Sequence, residues 1–241
     1  MKTKRLLSLC VLGLVLTTFV AAVSAAEFYG IVDSFGKKPR NAYLDVSVDT
    51  TVSSGPVDVS FNVYNAQGGQ VGLFSLTTNG NGFVSTTSFA NLFNLTGGQP
   101  MLVRARTPDS AVTSAATLHI DSLGAPMIIG LTPVRRRSDG TSLSQGTQFA
   151  IALGNFRSAS LLVGNVSGSD IEVDVFKGSQ GANGFGIFSN PHLAPNAIWK
   201  VNLTQNEALS NLIVHASGPV IMQAVIDDGQ TIQSFMVLPA Q

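Results

Sequence analysis

The sequence predicts an all-β protein: two tandem antiparallel β-sandwich domains behind an export signal. Three observations carry that reading. Apolar and polar residues alternate over short runs, as in "DVSFNVY" at 58–64 and "DIEVDVF" at 170–176. Such alternation sets one strand face on a core and the other in water. Gly, Ser, Thr, Asn and Val are plentiful while only 12% of residues are charged, a mixture suited to short strands and tight turns rather than long helices. Finally, a series of segments occurs twice, in the same order.

The first element, residues 1–26, reads as a signal peptide. Lys2, Lys4 and Arg5 form a positive n-region, Leu6 to Val20 an apolar h-region, and Val23-Ser24-Ala25-Ala26 a small-residue exit, so cleavage is expected after Ala25 or Ala26. The rival, an uncleaved anchor, needs ~20 apolar residues; Gly13, Thr17, Thr18 and the small exit argue against it. Cys10 lies inside the h-region after Leu9, an unsuitable context for lipidation. The expected location is therefore exported, periplasmic or extracellular. Removal takes three basic residues and none of the 14 acids, so 11 bases face 14 acids and the net charge is −3. That gives no footprint for nucleic acid. The only cysteine leaves too, so no disulfide is expected, and burial alone must stabilise the remaining 215 or so residues.

The repeated segments then set the domains. "FYGIVDSF" at 28–35 matches "FAIALGNF" at 149–156, and "AYLDV" at 42–46 matches "ASLLV" at 159–163. The Asp-led strands at 58 and 170 follow, then "GLFS" at 72–75 with "GIFS" at 186–189, and "LVRA" at 102–105 with "IVHA" at 213–216. Last, "IIGLTP" ending at Pro133 answers "FMVLP" ending at Pro239. The offset drifts from 121 to 106 residues, as loop insertions and deletions make it. Domain one is expected at 27–133 and domain two at 146–241, each near the ~100 residues of an independent domain. The polar stretch 134–145, "VRRRSDGTSLSQ", reads as an exposed linker, with Arg135-Arg136-Arg137 solvated rather than a protease or anion site.

Within each copy about seven short strands fit an Ig-like sandwich. Val59, Phe61 and Val63 share one face against Asp58, Ser60 and Asn62; Ile171, Val173 and Val175 do the same against Asp170, Glu172 and Asp174. "NAQGG" and "KGSQG" close these strands as loops, and "NGNG" at 79–82 and "GANGFG" at 181–186 read as hairpin turns. The run from Pro219 to Ile226 is more continuously apolar than these strands and is expected to be buried on both faces. The main helical candidate is Gln205 to Ser210 behind Thr204, with Ser88 to Phe93 as its counterpart.

A strand, a Gly/Asn/Ser turn, an alternating strand closed by Tyr64 or Phe176, and the later "IVHASGPVIMQAV" resemble the tandem β-sandwich repeats of bacterial exported and cell-surface proteins. The pattern is also similar to the sandwich of the sensory rhodopsin transducer family. The resemblance implies a sandwich used for binding or assembly, and it brings no catalytic residue with it.

Residues that carry chemistry are few. His119, His192 and His215 lack the spacing of a zinc site, and His215 occupies the position of Arg104 in the other copy, which points to an exposed strand position. No Gly-x-Ser-x-Gly elbow occurs. Asp170, Glu172 and Asp174 alternate with core residues and read as a solvated acidic face rather than a calcium or glycosidase site. Asp227-Asp228-Gly229 reads as a turn. Trp199, in "AIWKVNL", shares a face with Ala197 and Val201 and is assigned to the core. The sequons at Asn94, Asn165 and Asn202 are taken as chance. The resulting expectation is a non-enzymatic exported protein with duplicated modules for binding, adhesion or assembly. The alternatives are a carbohydrate- or polymer-binding protein and, third, a secreted hydrolase. No catalytic residue, metal or cofactor is assigned. The expected partner is a protein or surface polymer, with no nucleic acid and no membrane contact except through an uncleaved signal; self-association through an edge strand is a further expectation.

Overall fold

The computed structural model describes residues 27–33, 39–48, 55–86, 99–107, 113–122, 127–133, 145–178, 186–228 and 232–240. The export segment, almost all of the linker and the helical turn expected at 88–93 lie outside these residues. The described chain is nearly all β and every strand pairing in it is antiparallel.

The first half contains β1 (Glu27–Val32), β2 (Pro39–Val48), β3 (Asp58–Tyr64), β4 (Gln70–Thr77), β5 (Phe83–Thr86), β6 (Met101–Arg106), β7 (Thr113–Ser122) and β8 (Met127–Pro133). They pair in the order β4-β3-β6-β1 and β8-β7-β2-β5. Among the described residues the two layers are hydrogen-bonded to each other where β1 pairs β8, at Phe28↔Pro133 and Tyr29↔Thr132. The second half contains β9 (Gly146–Ile151), β10 (Ser158–Asn165), β11 (Ile171–Lys177), β12 (Phe188–Leu193), β13 (Ile198–Leu203), α1 (Gln205–Ala208), β14 (Leu212–Asp227) and β15 (Ile232–Val237). Its layers are β12-β11-β14-β9 and β15-β14-β10-β13.

Strand β14 serves both of those layers. Residues 212–216 pair with β9 and β11, and residues 220–227 pair with β10 and β15, with β9 touching once more at Val220↔Gly146. The ladder is interrupted at Ser217-Gly218-Pro219, where proline offers no N–H and glycine no side chain to pack. β14 thus does in one strand what β6 and β7 do in two. With that substitution, each of the seven pairings in the first half has its counterpart in the second. Registers agree in detail. Phe61↔Ala105, Asn62↔Arg104, Val63↔Val103 and Tyr64↔Leu102 are matched by Val173↔Ala216, Asp174↔His215, Val175↔Val214 and Phe176↔Ile213. The Phe28–Pro133 pairing returns as Phe149–Pro239.

Two matched segments are displaced by two residues. Phe28 lies opposite Ala105, whereas Phe149 lies opposite Val214, the twin of Val103. Phe74 faces Phe61, whereas Phe188 faces Val175, the twin of Val63. A slip of two keeps every side chain on its own face, which is why the pattern survives it. One turn assignment is corrected. "NGNG" is tightly turned, with the Gly82 N–H donated to the Asn79 carbonyl over 2.9 Å, yet it makes no hairpin. β4 pairs β3 and β5 pairs β2, so the turn carries the chain from one layer to the other.

The second half encloses a core between its layers. Phe149, Val173, Val175 and Val214 come from one side, and Leu161, Val163, Val201, Met222, Ala224 and Ile226 from the other. In the first half Val59, Phe61, Val63, Val103 and Ala105 are buried on the inner face, with the Phe61 and Phe74 rings stacked 5.0 Å apart. Helix α1 forms behind a full capping box: the Thr204 hydroxyl accepts from the Glu207 N–H and the Glu207 carboxylate accepts from the Thr204 N–H. This reciprocal pairing satisfies two donors that a helix start leaves free.

A second cluster joins the halves. Tyr29, Ile31 and Leu102, on the outer face of β1 and β6, are buried against Leu162, Ile198, Ile221 and Val225 of the second half. This explains why residues 161–165 and 220–226 are buried without a break: one face meets the core just described and the other meets the first half. Each buried aliphatic side chain of this size contributes about 1.5–3 kcal/mol of transfer free energy. Gly164 permits the approach, since a Cβ there would sit 3.2 Å from Ile221 and 3.3 Å from both Ile31 and Leu102. Polar groups close the seam. The Ile31 N–H donates to Gln223 Oε1 over 3.2 Å, Gln223 Nε2 donates to Ser234 Oγ, and the Ile198 N–H donates to the Ala66 carbonyl over 2.9 Å. The halves are one packed body along this contact, rather than two beads on a string.

Candidate functional site

The chemistry-bearing residues of the sequence are spread over the surface. Asp170 and Glu172 are exposed and Asp174 is half-buried beside His215. Their counterparts Asp58, Ser60 and Asn62 lie on the same outward face of β3, where Asp58 accepts from the Thr77 hydroxyl over 2.6 Å. His192 is exposed, the His119 side chain lies outside the described residues, and His215 sets its ring against Phe176 with centroids 5.4 Å apart. Asp227 ends β14 and Asp228 is exposed; Gly229 lies outside the described residues. Among the described residues no three His, Cys, Asp or Glu side chains are placed to hold a metal, and no helix is long and apolar enough to cross a membrane.

Two residues acquire a structural role. Trp199 packs on the second core from the same face as Ala197 and Val201. Asn165 is fully buried and organises the turn after β10. Its Nδ2 donates to the Ser169 and Leu193 carbonyls over 2.9 and 2.8 Å, and its Oδ1 accepts from the Ser167 N–H and hydroxyl over 2.8 and 2.7 Å. Both amide hydrogens are engaged, which leaves this sequon no free nitrogen.

The arrangement that the sequence did not announce lies on the outer face of β1, β6, β3 and β4. Three cross-strand rows are fixed by register: Ile31–Leu102–Tyr64–Gln70, Tyr29–Arg104–Asn62–Leu73, and Glu27–Arg106–Ser60–Ser75. The first row runs under the second half. The others carry a charged cluster at the rim of the seam. Glu27 Oε1 accepts from Arg104 Nη2 over 2.5 Å and from Arg106 Nε over 2.7 Å, while the Tyr29 hydroxyl donates to Glu27 Oε2 over 3.3 Å. The Arg104 guanidinium lies 5.6 Å above the centre of the Tyr29 ring, close enough for a cation–π contribution. Arg104 is therefore ion-paired and half-buried, not the exposed strand position expected of it; its side chain is 24% exposed.

Electrostatics follow from this packing. Burial pushes the Glu27 carboxyl up, but hydrogen bonds and charge from Arg104 and Arg106 outweigh it and hold the group below its ordinary 4.5. Burial, assisted by Glu27 and opposed by the two arginines, pushes the Tyr29 phenol up to about 12. Burial tends to lower Arg104, whereas its hydrogen bond to Glu27 raises it, and the net direction is up. Arg104 Nε is buried without a hydrogen-bond partner among the described residues. Beyond the cluster, Leu73 stands 67% exposed at the end of its row.

No protein-family profile matches the chain, and no curated protein matches it in sequence. Among solved structures the chain is similar to a Streptomyces avermitilis alpha-L-rhamnosidase complexed with L-rhamnose, at 11% identity and a TM-score of 0.30, over 89% of this chain and 26% of that one. It is similar to the C-terminal domain of the Streptococcus pyogenes antigen I/II-family protein AspA at 8% identity and a TM-score of 0.18, over 90% and 99% of the two chains. A Bacteroides uniformis beta-glucuronidase matches at 8% identity and a TM-score of 0.18, over 90% of this chain and 26% of that one. The chain thus spans about a quarter of the length of both glycosidases, and overlaps this loose carry no argument about what it binds.

Proposed function

We propose that the chain is a non-catalytic exported protein whose two tandem Ig-like β-sandwich domains, 27–133 and 146–241, serve binding, adhesion or assembly. The observation that carries this reading is the seam. Matching strand pairings recur in both halves, and Ile31 and Leu102 lie buried against Leu162 and Ile221, so two like modules are held at one spacing and angle. Fixed spacing favours a repetitive or extended partner, because a second contact then forms without further search. Trp199 is turned to the core and Tyr29 is buried beneath Arg104, so neither offers a free ring for sugar stacking, and a protein partner is preferred to a polymer.

The test is retention of the exported chain on immobilised cell-envelope extract of its own host. Saturable retention that is lost when the extract is treated with protease supports the reading. Loss only on glycosidase treatment moves the assignment to a polymer-binding protein. Turnover of chromogenic ester or glycoside substrates by the purified chain overturns it.

A further inference from the structure

Strand β4 ends the β4-β3-β6-β1 layer, and among the described residues its outer edge pairs with no strand. An open edge is a template for another strand, and proteins blunt such edges with charge, proline, bulges, brevity or a covering segment. The other terminal strands here are blunted, each in its own way. β12 carries Pro191 and meets β11 across an irregular register. β13 carries Lys200. β9 is bridged on its far side by Pro239 and accepts the Ala240 N–H at the Gln148 carbonyl. β15 lies beside β8, and β5 is only four residues long. Among the described residues β4, "QVGLFSLT", carries no charge, no proline and no covering strand; its one irregularity, Val71 left over between Gly72 opposite Val63 and Gln70 opposite Tyr64, lies near its start, so Gly72 to Thr77 run in regular register and Leu73 projects outward, 67% exposed.

We propose that β4 is an assembly edge and that its occupant is β4 of a second copy, antiparallel about a two-fold axis through Leu73. This rests on the assembly part of the proposed function and names its surface. The strand itself argues for a self-partner. An uncharged edge offers no counter-charge to a charged strand, and it meets no like-charge repulsion from its own copy. A two-fold through Leu73 sets that side chain against the partner's Leu73 on the outer face. On the inner face it sets Gly72 against the partner's Phe74, so the residue with no side chain receives the ring. The contact is isologous and closes as a dimer, extending one layer continuously through both copies.

The experiment uses the full chain in a Cys10→Ser background. Light scattering across a concentration series should show a dimer. Leu73→Lys and Ser75→Lys, both at exposed positions, should each raise the dissociation constant by about tenfold or more with the melting transition kept. Leu73→Cys should oxidise to a covalent dimer, because directly opposed strand positions bring their Cβ atoms to about 4.5–5.5 Å; Phe83→Cys on β5 should not. A chain that stays monomeric, a dimer indifferent to both lysines, or equal cross-linking at Phe83→Cys overturns the inference. A monomer that is still retained by envelope extract would sink the β4 dimer alone and leave the proposed function standing.

Discussion

Lys200 on β13 donates to Asp33, just past β1, over 2.8 Å, and so ties the second half to the first across the seam. Asp33 is 2% exposed and Lys200 34%, which places the carboxylate inside the contact and leaves the ammonium group at its rim. Lys200→Met removes the charge that faces a buried carboxylate. Because the lysine keeps contact with solvent, the expected cost is moderate, about 1–2 kcal/mol, read as a shift in urea midpoint and larger at low salt. A double-mutant cycle with Asp33→Asn should return a favourable coupling; zero coupling would show that the pair does not hold the seam.

Gly68 tests the seam from the other side. Its φ is +87°, and a Cβ there would run into the Pro195 carbonyl oxygen of the β12–β13 turn. Gly68→Ala should therefore cost about 1–3 kcal/mol, from left-handed strain and from prising the halves apart. Gly80→Ala, with nothing within 4 Å of its Cβ, should be nearly neutral. Equal melting temperatures for the two variants would contradict the close approach.

Acid should weaken the protein through Glu27. Its folded pKa is depressed below 4.5 by Arg104 and Arg106 against the opposing effect of burial, so the folded state binds fewer protons than the unfolded chain. The contribution is present above pH 4.5 and is lost as pH falls through the folded value. Glu27→Gln should flatten stability against pH in that acid window, and an unchanged slope would disprove the assignment.

Alkali should act through Tyr29, with the opposite sign. Burial first, and Glu27 second, raise its folded pKa from 10.0 to about 12. The stabilisation is complete below pH 10 and disappears as pH rises towards 12. Spectrophotometric titration should find one tyrosine ionising late, and Tyr29→Phe should remove that phase.

Asn165→Ala should be among the more damaging polar substitutions, at about 2–4 kcal/mol, since it leaves the buried Leu193 carbonyl, the part-buried Ser169 carbonyl and the Ser167 N–H without their partner. Mass spectrometry of protein made in a glycosylating host should find this residue unmodified, because both amide hydrogens point into the fold. A glycan at Asn165 would refute the described turn.

Much of this architecture was legible before any coordinates. Period-two alternation located β3 and β11, and Thr204 as an N-cap ahead of Gln205 located α1, because both signals are local and each has a direct energetic cause. The buried run at 220–226 was also visible, but not its reason: a largely apolar run says that both faces are covered without saying by what. Partnerships across long separations left no trace. Lys200 and Asp33 lie 167 residues apart, and Arg104 with Glu27 lie 77 apart, so no local pattern joins either pair. The acidic positions Asp170 and Glu172 were readable as solvated because they alternate with Ile171 and Val173, whereas Arg104, which alternates in the same way, is claimed by a neighbour that only the folded register supplies.

The uninterrupted passage of β14 from one layer to the other has a mechanical meaning. In the first half the described layers are joined through the two-residue β1–β8 ladder and the turn after β4, so a pulling force has few cross-layer hydrogen bonds to break before one layer slides past the other. In the second half the same displacement is resisted by the main chain itself, through the Ser217-Gly218-Pro219 bend. Under load the two halves should therefore yield in sequence, with the first acting as the compliant element and the second as the stiff one.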